Sequence, residues 1–189
     1  MPRYLAVFLF FASAAAHGQN KPAQNQLAWS APARPEIQKL SDSLIGSWST
    51  VERFEPNRFM KAGADGSGTF NIHKGPGANS LILDYTSHSS MGDYSSTRII
   101  YWDTTSMHYK AFYCDSLQPA GCGEAGEGTW EGGSLVFNST THGPDGPLKM
   151  KQTLSGGSGQ SFTLTLDIVD HGKLQRSLTI TAKRTAANP

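Results

Sequence analysis

What constrains this chain most is a long series of short segments in which apolar and polar side chains alternate, joined by brief turns. In SFTLTLDIV, Phe162, Leu164, Leu166 and Ile168 share one face, while Thr163, Thr165 and Asp167 share the other. LQRSLTITAKR repeats the pattern with Leu174, Leu178 and Ile180, and PLKMKQTL repeats it with Leu148, Met150 and Leu154. A period of two with one apolar face marks an antiparallel strand buried on one side. SWSTVERF, GTFNIH, SLILDYTSH, YSSTRIIYW, MHYKAFYC, GEGTWEG and SLVFNST bring the total to about ten. The connections GADGSG, HKGPGAN, SMGD, EGGS, GPDGP, GGSGQ and DHGK are rich in the residues that take the positive φ of tight hairpins. Turns this short leave no length for parallel crossovers, so successive strands pair as a meander. A meander of this length either closes or leaves two unpaired edges. The expected fold is therefore all-β, a closed antiparallel up-and-down barrel. A β-sandwich, the alternative, needs at least one long Greek-key connection.

One helix precedes the strands. Pro35 suits a first turn and Glu36 its positive end, while Ile37, Leu40 and Leu44 fall on one face with Ile45 beside them. Gly46 is the expected stop.

The N-terminus has the three parts of a secretory signal: Arg3, the apolar run YLAVFLFFA, and the small residues of SAAAHGQ, with cleavage sites after Ala16 or Gly18. The apolar run is too short to span a bilayer, and no second one follows. The expected division is a signal peptide at 1–18, a polar lead-in at 19–34, the barrel at 35–185 and a tail at 186–189. Export to the periplasm or beyond the cell follows. Two cysteines, Cys114 and Cys122, flank a Pro/Gly turn and are expected to form a disulfide in an exported chain. Neither has a partner at zinc-ligand spacing. The formal charge is +1, with Lys and Arg scattered, so no nucleic-acid footprint is expected.

In a closed meander the first and last strands lie side by side, which brings Trp48 near Arg184. Arg184 has the parity of Leu178 and Ile180, so it faces inward and can stack on the indole, a contact worth about 2 kcal/mol when desolvated. Gly46, Trp48 and Arg184 are thus expected to close the barrel, with the helix as a plug. The plainer alternative makes Trp48 a core aromatic only.

A short helix, a G-x-W opening strand one, and a meander closing near an arginine resemble the lipocalin-like, or calycin, superfamily. PEIQKL, LIGSW, ERFEP, GPGANSLILDY, YWD and YCDS…GC more closely resemble a bacterial secreted family of unknown function with a lipocalin-like barrel. The resemblance spans roughly Pro35 to Arg184 and implies a fold and an internal pocket, but no ligand. A haem-binding barrel related to the nitrobindins shares the G-x-W opening, but its motif continues G-x-W-x-G-x-G. Here Ser49, Thr50, Val51 and Glu52 follow, with only His171 as a nominal ligand. No cofactor and no metal is expected.

Parity places Thr50, Glu52 and Phe54 on the face of Trp48. Glu52 would then be a carboxylate in an apolar interior, costly unless paired, and Arg176 shares the expected inward face of the last strand. With both inside, the two pair directly or through water, or one of them holds a ligand head group; the slightly favoured alternative leaves Arg176 at the rim and Glu52 meeting solvent or a structural partner, since register is open at this level. Tyr85 shares a face with Leu81 and Leu83, and Tyr109 and Tyr113 share one with Ala111. Inward tyrosines suit a pocket and a filled core equally. No G-x-S-x-G elbow occurs, and the glycine-rich turns join strands rather than opening a helix. The leading expectation is an exported protein binding a small apolar or amphipathic molecule through Trp48, Glu52, Phe54, Tyr85, Tyr109, Tyr113 and Arg176. The alternatives are an enzyme using Glu52, Arg176 or tyrosines, and a secreted module with a filled barrel that binds a partner through its surface.

Overall fold

A computed structural model describes residues 32–185 except 59, 118–120, 144–145 and 158. The expected signal segment, nearly all of the lead-in and the tail lie outside the described residues.

Helix α1 (Pro35–Leu44) is followed by ten strands: β1 (Gly46–Phe54), β2 (Ala64–Lys74), β3 (Ser80–Ser89), β4 (Gly92–Asp103), β5 (His108–Asp115), β6 (Cys122–Glu131), β7 (Ser134–Gly143), β8 (Gly146–Ser155), β9 (Ser161–Asp170) and β10 (Lys173–Arg184). Every sequential pair is antiparallel, and β1 pairs with β10, so the sheet closes as an up-and-down barrel. Closure removes the two edges that an open meander of this length would expose.

Most strands fall where alternation places them, but β2 begins earlier. GADGSG, expected as a turn, is largely strand from Ala64 onward. Gly66 and Gly68 are needed there for close approach rather than for turning: a Cβ on Gly66 would stand 2.7 Å from Glu52 Oε2, and one on Gly68 2.9 Å from Glu52 Oε1.

Helix α1 carries Pro35 in its first turn and Glu36 at its positive end, and buries Ile37, Leu40 and Leu44. It ends at Leu44, shortly before Gly46, which takes φ +135 and opens β1. The helix closes one end of the barrel, where its apolar face meets Trp48, Ile72, Leu81, Ile100, Leu135 and Phe162 in the core. Trp48 is fully buried, and its indole N–H donates to the carbonyl of Leu44 at 2.9 Å. Cys114 and Cys122 sit opposite each other on β5 and β6 and are joined by a disulfide.

Candidate ligand site within the barrel

Beyond the plug the interior is not filled. A cavity of about 380 Å³ occupies the half of the barrel distant from α1. Its wall is mainly apolar, with Phe70, Leu83, Ile100, Phe137, Leu164 and Leu178 among its side chains. Phe54 at the end of β1, the β3–β4 hairpin at Ser89–Asp93, and Leu117 after β5 frame the mouth. Met91 and Leu117, 53% and 71% exposed, place apolar side chains at that rim. The volume lies in the range of small-molecule sites.

Among the polar side chains of this wall, two charged ones stand out. The first is Glu52, only 1% exposed. Its inward position follows from the parity of Trp48 and Thr50, and the glycines of β2 make room for the carboxylate. Three hydroxyls donate to it: Tyr85 and Thr50 (3.3 Å) to Oε1, and Ser87 to Oε2 at 2.6 Å. Hydroxyl donors substitute for the water that a buried carboxylate loses. Burial, and then the bond to Glu52, push the Tyr85 hydroxyl well above the ordinary tyrosine range, so it remains a donor. The Tyr85 ring stacks on Phe70 at 4.3 Å, which holds the hydroxyl in place.

The second is Arg98 on β4, with its guanidinium carbon 5.3 Å from the centre of the Tyr113 ring. Tyr94, Ser96, Arg98 and Ile100 all line the cavity, at alternate positions of one strand. Burial lowers the pKa of Arg98 from its ordinary value, and the nearby Tyr113 and Tyr94 oppose that shift. The hydroxyls of Tyr94 and Tyr113 are hydrogen-bonded to each other, and burial raises the pKa of both.

Of the residues expected to meet a ligand, Glu52, Phe54, Tyr85 and Tyr113 lie on the cavity wall. Trp48 and Tyr109 belong instead to the plug. The Tyr109 hydroxyl donates to the carbonyl of Glu36 at 3.0 Å and accepts from the Trp130 indole at 3.2 Å, which ties α1 to β5 and β6. Arg176 does not share the inward face that parity gives it, and of the two arrangements open to it the structure has the one in which Glu52 finds other partners, its three hydroxyl donors, and Arg176 pairs elsewhere. A β-bulge between Arg176 and Leu178 shifts the register, so Leu178 stands opposite Leu166 but Arg176 opposite Asp167. A bulge of one residue reverses the face. Arg176 grips the buried Asp167 carboxylate on the outer surface through Nε and Nη2.

Arg98, Tyr94, Ser87 and Gln152 line the cavity in addition to the residues expected there. The signal for Arg98 was present in YSSTRIIYW, where it shares parity with Tyr94, Ile100 and Trp102. Among the described residues no group of three or more His, Cys, Asp or Glu is placed to hold a metal ion.

The sequence matches no family model and no curated protein. It is similar in structure to the S-type phycobiliprotein lyase CPES from Guillardia theta, with 13% identity over 80% of this chain and 94% of the other, at a TM-score of 0.54. It is similar also to Rv2717c from M. tuberculosis, with 15% identity over 81% of this chain and 99% of the other, at a TM-score of 0.50. A de novo designed fluorescence-activating β-barrel aligns at 14% identity over 77% of this chain and 96% of the other, with a TM-score of 0.42. At these identities the lyase and the mycobacterial protein establish for this chain a shared barrel fold, and that alone.

Proposed function

We propose that this is an exported binding protein that takes a small, largely apolar molecule into the open end of its barrel and performs no covalent chemistry on it. The cavity carries this reading: mostly apolar walls around about 380 Å³, with an apolar rim, are poorly satisfied by water and favourable to cover with an apolar guest. It also argues against a filled barrel acting only through its surface. Glu52 suits a structural role better than an acid–base one, because both of its oxygens are engaged by the protein's own hydroxyls. Export is supported by the N-terminal pattern and by the Cys114–Cys122 disulfide. The family it resembles, secreted and lipocalin-like, is part of the same proposal.

The test is titration with the neutral fluorophore N-phenyl-1-naphthylamine. Saturable binding of one probe per chain is expected, and Leu164→Trp, which fills the cavity from its wall, is expected to abolish it while the thermal melt remains cooperative. Absence of saturable binding, or equal binding by a folded Leu164→Trp protein, would overturn the proposal.

A further inference from the structure

Among the described residues the cavity wall contains one cation, and no side chain there neutralises it. Arg98 lies one inward step from Ile100, which is buried at the floor, and three from Gly92 at the tip of the β3–β4 hairpin. Among the described residues no carboxylate or carbonyl pairs with its guanidinium; the aromatic face of Tyr113 is its neighbour. The carboxylates that share the wall are occupied elsewhere or remote. Glu52 accepts from Thr50, Tyr85 and Ser87 through both of its oxygens. Asp115 stands beside the Tyr94–Tyr113 pair, which feels its charge. Asp93, at the exposed rim, is engaged with His88. A guanidinium without a protein acceptor that faces a largely apolar cavity is stabilised when water or a ligand completes its hydrogen bonds. Its planar fork fits the two oxygens of a carboxylate.

We propose that the ligand is an amphipathic anion, a long-chain carboxylate whose head group is held by Arg98 and whose apolar tail lies along the leucine and phenylalanine wall toward the mouth. This rests on the cavity reading above and adds the chemical class of its occupant. Leu83, Phe137, Leu164 and Leu178 supply the surface for a tail. Gln152, whose buried Oε1 has no hydrogen-bond partner among the described residues, also lines the cavity and offers a further polar contact.

A head-group series separates the two claims. Decanoate, 1-decanol and decylamine share one tail and differ in head group and charge, and each is titrated against bound N-phenyl-1-naphthylamine. Decanoate is expected to displace the probe about 10-fold or more below the concentration 1-decanol requires, with decylamine weakest, as a charge-assisted hydrogen bond predicts. Arg98→Met should remove the advantage of decanoate while leaving 1-decanol within about threefold, and Arg98→Lys should retain part of it. Equal displacement by decanoate and 1-decanol, preference for decylamine, or an Arg98→Met protein that still prefers decanoate would overturn the anion site and leave the cavity reading standing. Failure of the probe and all three compounds to bind would overturn both. The wild-type series decides even if Arg98→Met fails to fold.

Discussion

The guanidinium of Arg184, the last residue of β10, lies over the indole of Trp48 with its central carbon 4.2 Å from the ring centre, and the same two side chains collect the final carbonyls of α1. Arg184 donates to Ile45 O at 2.6 Å and to Ser43 O at 3.4 Å, and Trp48 donates to Leu44 O. A cation and an N–H at a helix C-terminus meet both the unpaired carbonyls and the negative end of the dipole. One pair of residues therefore seals β1 to β10 and seats the plug.

Arg184→Ala should cost about 2–3 kcal/mol, from the lost cation–π contact and the stranded carbonyls. Trp48→Ala should cost about 3–5 kcal/mol by opening a cavity in the plug. In urea denaturation the double variant is expected to be less damaged than the sum of the two, by about 1–2 kcal/mol of coupling. Additivity would mean that the contact contributes nothing beyond packing.

Gly68→Ala and Gly66→Ala separate two kinds of crowding on β2. A Cβ at Gly68 would run into the Thr86 carbonyl oxygen as well as Glu52, whereas at Gly66 its closest neighbour is Glu52 Oε2. Each should destabilise by about 1–3 kcal/mol, as overpacking does. Introducing Glu52→Ala as well should relieve much of the Gly66→Ala penalty and little of the Gly68→Ala penalty, because the backbone clash persists. Chemical denaturation of the single and double variants checks this, and equal relief at both glycines would contradict the geometry.

These contrasts show where the sequence was informative. Alternation alone puts Trp48, Thr50 and Glu52 on one face of β1 and Ile180 and Arg184 on the inward face of β10, and the structure agrees because no bulge interrupts that stretch. For Arg176 alternation leaves the inward face and the rim both open, because Gln175, Arg176 and Ser177 are all polar and such a run carries no apolar signal of the slipped register found there. Tyr109 and Tyr113 share a face, but only the way α1 seats over one end separates the plug tyrosine from the cavity tyrosine. That placement is tertiary and leaves no mark in strand periodicity. The GADGSG glycines read as a turn because composition cannot distinguish a glycine that bends the chain from one that admits a neighbouring carboxylate.

Removing the disulfide tests the rim. Cys114 and Cys122 join β5 to β6 across the connection that carries Leu117 at the mouth. Replacing both by serine should lower stability by about 2–3 kcal/mol, the chain-entropy value for so short a loop. Probe affinity should fall by a smaller factor, since the cavity wall itself is made by the strands. A thermal melt and a probe titration on the same sample distinguish the two effects, and an unchanged melting temperature would show that the strand pairing alone holds this corner.

Alkaline pH probes the interior hydroxyls. Burial raises the pKa of Tyr85, Tyr94, Tyr109 and Tyr113 above the ordinary value of 10.0 in the folded protein, with the Glu52 carboxylate adding to the shift at Tyr85. Above about pH 10 the unfolded chain releases protons that the folded chain keeps, so the unfolded state binds fewer protons and stability falls as pH rises. Below that pH these groups are protonated in both states and add no slope. Each such tyrosine contributes about 1.4 kcal/mol per pH unit once the pH passes its unfolded value. Urea denaturation at intervals from about pH 8 to pH 11 should therefore show a plateau and then a decline, and Tyr113→Phe should make the decline shallower by about one proton. Tyrosinate absorbance rising near about pH 10 in the still-folded protein, with an intensity matching every tyrosine, would show that these hydroxyls are not sheltered.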